Sequence, residues 1–133
     1  MFSPTHMPPR LLVTGFVPFS VHEENISEEI VGMLSKEGIM GLEIETALLN
    51  VDEMGSREVS DRLNNGERFD AILHLGLSDQ VEMVQLERFG KNRYEMEIAD
   101  NSGRQISEGE IMVGSRSFVE ALAPVHVINE TLD

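Results

Sequence analysis

Thiol chemistry is closed to this sequence. It contains no cysteine, so a thiolate nucleophile, a thiolate metal site and a disulfide are all excluded. Serine, threonine and carboxylate nucleophiles remain, but no Gly-x-Ser-x-Gly turn is present to expose a serine on a strained elbow. The four histidines, His6, His22, His74 and His126, lack the His-Glu-x-x-His or His-x-x-x-His spacing that puts two imidazoles on one metal, and no metal site is expected. Thr14-Gly-Phe-Val-Pro-Phe19 follows an apolar run where a phosphate-binding loop would sit. Two phenylalanines and a proline stand where glycines would have to let the backbone approach a phosphate, so nucleotide binding is disfavoured and no cofactor is expected.

That same turn suits a different ligand. In open α/β sheets ligands bind beyond the carboxyl ends of the strands, and Phe16 and Phe19 lie just past such an end with Pro18 fixing the backbone between them. Two readings stand: the rings wall a flat, small, mostly apolar ligand, or they plug the end of the sheet. Asn25 is open in the same way, as a ligand contact or as a helix cap alone. Glu87, beside Arg88, is either a site carboxylate or a solvated charge in a structural ion pair. His74 lies inside the apolar run Ala71–Leu75 and reads as a hydrogen-bonded strand-end histidine rather than a base.

The elements that must position these residues follow from hydrophobic patterning. Residues 1–10, rich in proline, form a flexible lead-in, with order beginning at Arg10. Leu11–Thr14, closed by Gly15, is a strand buried on both faces. A helix capped by Asn25 or Ser27 presents Ile26, Ile30, Val31 and Leu34 at helical spacing and ends near Gly38 or Gly41. Leu42–Leu49 is a second strand, Ser56–Leu63 a second helix stopped by Asn64-Asn-Gly66, and Phe69–Leu75 a third strand. Strand, helix, strand, helix, strand in this order implies an α/β fold with a mostly parallel sheet, flanking helices and right-handed crossovers. Beyond it, Val81–Glu87 is expected to be extended, Tyr94–Val113 a hairpin or excursion about Asp100-Asn-Ser-Gly103, and Ser117–Leu122 the start of a helix broken at Pro124.

The chain has 133 residues, 41% hydrophobic, with Lys+Arg 10 against Asp+Glu 24 and a net charge of −14. This suits one domain over residues 11–133. The acidic excess argues against nucleic acid and anionic membranes as partners, since both recruit Lys and Arg. No apolar run approaches the ~20 residues of a membrane span, and a cytoplasmic location is expected.

Leu11-Leu-Val-Thr-Gly-Phe-Val-Pro-Phe19, Asn25 with its helix, His74-Leu-Gly-Leu77, Leu86-Glu-Arg-Phe-Gly-Lys-Asn92 and Ile98-Ala-Asp-Asn101 resemble, in order and spacing, the pyroglutamyl peptidase I (pyrrolidone-carboxylate peptidase) family. The resemblance runs from about Leu11 to the last residue and covers the N-terminal two thirds of the family's chain. It implies a three-layer α/β sandwich, truncated at its C-terminal side, and a cytosolic cysteine peptidase that removes N-terminal pyroglutamate from peptides with a Glu, Cys and His triad. By resemblance Glu87 is the triad glutamate, Phe16, Phe19 and Asn25 hold the pyroglutamyl ring, and Ile98 is an apolar wall of that pocket.

Neither the Cys nor the His of the triad has a counterpart here; the family's thiol lies past the helix that begins near Pro124. Ser20 stands where the family has glycine, Val81 where many bacterial relatives have Arg, and Glu97 and Ala99 replace the Arg and Pro of the common Ala-Arg-Ile-Pro-Asp-Asn block. A carboxylate in place of a guanidinium reverses the local charge. Three expectations follow: an inactive fragment or degenerate member, a module that binds a pyroglutamyl-like ring without cleaving it, or a subunit completed by a second chain. A parallel sheet cut before its later strands invites self-association or a complementing chain.

Overall fold

The computed structural model describes residues 7–19, 24–78 and 82–132. Most of the expected lead-in, Ser20 and Val81 lie outside them. The described residues fall into two compact units, one running up to Leu77 and taking in Ala99–Arg104, the other comprising Ser78–Ile98 and the chain from Gln105 onward.

The first unit is built on a parallel sheet of β1 (Arg10–Phe16), β2 (Glu43–Leu49) and β3 (Ala71–His74) in the order β2-β1-β3. Its register sets Thr14 opposite Ala47 on one side and His74 on the other. Helix α1 (Ile26–Glu37) links β1 to β2, and α2 (Glu53–Asn64) links β2 to β3. Alternation along β1 assigns the helices to opposite faces. Gly15 lies against Ser27 and Val31 of α1, whereas Leu12 packs with Leu49 and with Val59 of α2. Two crossovers of one hand that run across the sheet in opposite directions, from β1 out to β2 and from β2 back past β1 to β3, must lie on opposite faces, so helix, sheet and helix form three layers.

Local chemistry fixes the boundaries. Asn25 caps α1, and Gly38, at φ 62°, ends it with its N–H on Leu34 O. The buried stripe is Ser27 and Val31; Ile26 and Ile30, expected to face the core, are exposed. Helix α2 starts earlier than the expected Ser56, because Asp52 accepts a hydrogen bond from Gly55 N–H at 2.7 Å and caps it. At the amino end of the sheet Arg62 bonds both Glu45 and Glu67, and Phe69 lies beneath the guanidinium groups of Arg10 and Arg62, at 4.5 and 5.4 Å. The hydrogen bonds that Arg62 donates to Glu67 and Glu45 raise its own pKa, and the one that Glu67 accepts lowers the pKa of that carboxyl.

The second unit holds a two-stranded antiparallel sheet, β4 (Phe89–Lys91) with β5 (Phe118–Glu120), and α3 (Val125–Leu132). Phe89 and Phe118 meet edge to face at 5.4 Å. Glu82–Glu87 forms neither a helix nor a paired strand, and the strand follows at β4. One expectation is corrected here. Ser117–Leu122 does not open a helix: Phe118 and Val119, aromatic and β-branched, take a strand partner in β4, and the helix starts only after Pro124. The excursion from Tyr94 closes as a long hairpin, with Tyr94 N–H on Gly109 O at 2.7 Å and Met96 N–H on Ile106 O at 3.0 Å.

Candidate functional site

The carboxyl end of β1 and the start of α1 are joined by a short hydrogen-bonded chain. Asn25 Oδ1 accepts from the N–H of Ser27 at 3.0 Å and from its hydroxyl at 2.6 Å, and Ser27 Oγ in turn accepts from Phe16 N–H at 2.9 Å. Asn25 and Ser27 are both buried, so these bonds form away from competing water. Their closeness depends on Gly15. A β-carbon there would lie 2.6 Å from Ser27 O and 2.9 Å from a methyl of Val31, so only glycine lets helix and strand approach this far.

Phe16 and Asn25 are thus brought together through Ser27, a residue the sequence reading gave only as an alternative cap. Phe16 is half-buried and packs on the core of Leu12, Leu49 and Val59. A β-carbon on Gly76 would be 4.0 Å from its ring, so the ring spans from β1 toward the chain leaving β3. Phe19, three residues further on, is half-buried as well.

His74 ends β3 directly beside Thr14. Its Nδ1 is 2.7 Å from Thr14 Oγ1, a bond in which the hydroxyl donates to an unprotonated nitrogen or accepts from a protonated one. Part of the residue reaches solvent, yet desolvation of the ring lowers its pKa below the ordinary 6.5. The imidazole is held neutral and in contact with the strand, as the hydrogen-bonded strand-end reading requires.

Asn101 fastens its loop to the residues between β2 and α2, and Asp100 braces the loop from within. Asn101 donates its N–H to Val51 O at 2.7 Å and accepts Val51 N–H on Oδ1 at 2.6 Å. Asp100 accepts from Ser102 N–H, the Ser102 hydroxyl and Arg104 N–H, all within 2.9 Å. Desolvation pushes the Asp100 carboxyl up, and the bonds from Ser102 and Arg104 outweigh it and hold its pKa below the usual value. Arg104 also pairs with Glu53 at 3.6 Å.

Glu87 and Ile98 belong to the second unit. Glu87 precedes β4, is exposed, and makes no ion pair with another described residue; its neighbour Arg88 pairs instead with Glu120 at 3.6 Å and lies over the Phe89 ring. Ile98 is half exposed. Among the described residues no three of the His, Asp and Glu side chains gather as metal ligands, and no helix is long and apolar enough to cross a membrane.

Comparison with known proteins extends this geometry. The pyroglutamyl peptidase family matches residues 9–133. Pyrrolidone-carboxylate peptidase 1 of Ralstonia nicotianae is 34% identical over 120 residues, covering 90% of this chain and 56% of that protein. The pyrrolidone-carboxylate peptidase of Thermococcus kodakarensis is 33% identical over 123 residues, covering 92% and 59%. The crystal structure of pyrrolidone carboxyl peptidase from Fervidobacterium islandicum AW-1 superposes with a TM-score of 0.86 at 27% identity, covering 93% of this chain and 60% of that one. The chain therefore spans less than two thirds of these relatives and corresponds to their N-terminal part.

Proposed function

The chain belongs to the pyroglutamyl peptidase family, and from that premise we propose that it supplies the ring-binding part of a peptidase acting on peptides with an N-terminal pyroglutamate. In this reading Phe16 and Phe19 wall the lactam ring, Asn25 fixes its polar edge, Ile98 adds an apolar wall, and Glu87 is the triad glutamate. The reaction needs a thiolate to attack the pyroglutamyl carbonyl and an imidazole to shuttle the proton, with the glutamate orienting that imidazole. This sequence has no cysteine, so the thiol must come from polypeptide outside it, and the chain by itself does not turn over substrate. A cytoplasmic setting, the usual one for this family, accords with the reading.

The observation that carries the proposal is the Phe16–Ser27–Asn25 linkage, which holds one aromatic wall and one amide in fixed relation at the carboxyl end of β1. The zero cysteine count favours a second reading, a module that holds a pyroglutamyl-like ring without cleaving it. Titration with 2-pyrrolidone, followed by NMR, tests what both readings share. Shifts at Phe16 and Phe19, weakened in Phe16→Ala, are expected, because a ring packed on a lactam contributes about 1 kcal/mol beyond area burial. No shift at millimolar ligand overturns both. A pyroglutamyl-amide chromogenic substrate should be left intact; turnover insensitive to iodoacetamide would demand another nucleophile.

A further inference from the structure

The bond between Thr14 and His74 has a direction. Thr14 is fully buried, and among the described residues its hydroxyl meets only His74 Nδ1, at 2.7 Å. A hydroxyl that accepted from a protonated Nδ1 would leave its own hydrogen buried without an acceptor, which is the costlier arrangement. Thr14 therefore donates, Nδ1 is unprotonated, and in the neutral ring the hydrogen sits on Nε2. Desolvation, which holds the His74 pKa below its ordinary value, favours that neutral ring as well. Nε2 has no partner among the described residues, and part of the residue reaches solvent. An N–H donor is thus fixed at the carboxyl end of the sheet with nothing on it.

Beside that donor lies a gap. Thr14 and His74 are register partners, so they share a face of the sheet, and residues two further along each chain, Phe16 and Gly76, return to it. Among the described residues a β-carbon on Gly76 would find only the Phe16 ring, at 4.0 Å. The position is therefore walled by one aromatic ring and otherwise open. Gly76 does not take a positive φ, so no turn demands a glycine there. Ligands of open α/β sheets bind beyond the carboxyl ends of the strands. We propose that His74 is a ligand-binding residue, its Nε2–H donating to the carbonyl oxygen of a five-membered lactam seated over Gly76 against the Phe16 ring. This inference rests on the ring-binding reading and adds to it the group that selects a carbonyl acceptor. His74 transfers no proton in it; Thr14 holds the imidazole as a fixed donor.

Nitrogen NMR of the His74 imidazole reads the tautomer in the unsubstituted chain. The hydrogen should sit on Nε2, and Thr14→Val, which removes the donor to Nδ1, should mix the two tautomers; a ring protonated at Nδ1 in the unsubstituted chain overturns the inference. Saturation with 2-pyrrolidone should then shift the Nε2 resonance. Selectivity is tested against pyrrolidine-2-thione, which keeps the ring and its N–H but offers sulfur, a weak acceptor, in place of oxygen. In the double variant Thr14→Val/His74→Phe, which removes both partners together and leaves no buried hydroxyl unpaired, the preference for 2-pyrrolidone over the thione should fall by about fivefold, the net worth of one neutral hydrogen bond. Damage to the fold would weaken both ligands alike, so an unchanged preference overturns the inference. Gly76→Val, which fills the gap, should abolish binding of 2-pyrrolidone while the denaturant midpoint stays in place; binding as tight as in the unsubstituted chain overturns it too. Shifts at Phe16 and Phe19 with none at His74 Nε2 defeat this inference alone, whereas shifts at none of the three defeat the ring-binding reading and the inference with it.

Discussion

Partial desolvation of its ring sets what His74 can do. An imidazole free in water titrates near 6.5, and desolvation holds this one lower while Thr14 Oγ1 occupies its Nδ1 at 2.7 Å. The unfolded chain therefore takes up the proton first. The stability linked to this group is whole above the unfolded pKa and is lost as pH falls through the depressed folded value. His74→Asn, which keeps a polar partner for Thr14 without a titrating ring, should remove this loss. Denaturant unfolding of the two proteins should give parallel stability profiles above about pH 7.5, with the unsubstituted chain falling away more steeply below 6.5. Profiles parallel down to pH 5 would show that the ring is not desolvated. The same neutrality suits a residue that holds two strand ends together and leaves proton transfer to another imidazole.

At the scale of elements, the start of α2 depends on a glycine in an unusual place. A β-carbon on Gly55 would lie 1.9 Å from Asn50 O, a backbone clash that no side-chain rotation relieves. Gly55→Ala should therefore destabilise the chain by more than Asp52→Ala, which removes one cap and costs about 1 kcal/mol; overpacking of this kind costs about 1–3 kcal/mol or more. Denaturant midpoints at constant slope measure both, and an alanine tolerated at position 55 would mean that the Asn50 turn gives way. This glycine also explains why the helix was legible only from Ser56. Gly reads as a helix breaker, and its reason for being there is a carbonyl five residues back, which no periodicity reveals. Asn25, β1 and α1 were legible because cap and apolar spacing are local signals. The Ser27 link to Phe16 was not, since it needs Gly15 to bring strand and helix together. β5 was missed because three residues show no period, and its strand character comes from pairing with β4, nearly thirty residues away.

Over the whole molecule, burial is unevenly shared. Leu12, Val13, Val31, Leu49 and Val59 form the buried apolar core, with Thr14, Asn25 and Ser27 as buried polar groups, and all of them lie in the first unit. None of the described residues of the second unit is buried; its order rests on hairpin hydrogen bonds, the Phe89–Phe118 ring contact and exposed ion pairs such as Arg93–Glu95. Apolar burial contributes about 25 cal/mol per Å², whereas an exposed ion pair contributes less than about 1 kcal/mol. The two units should thus open with very different free energies, because local opening follows local burial. Native-state hydrogen exchange by NMR should find the central amides of β1 and β2 exchanging only through global unfolding, with a denaturant slope matching that of the whole transition. Amides of β4 and β5, and the Asn92 N–H just past β4, bonded to Ser117 O at 2.8 Å, should exchange through smaller openings at least tenfold faster and with little denaturant dependence. Equal protection and equal slopes in both units would mean that the second is held by contacts as strong as the first unit's core, and the association of stability with burial would fail for this chain.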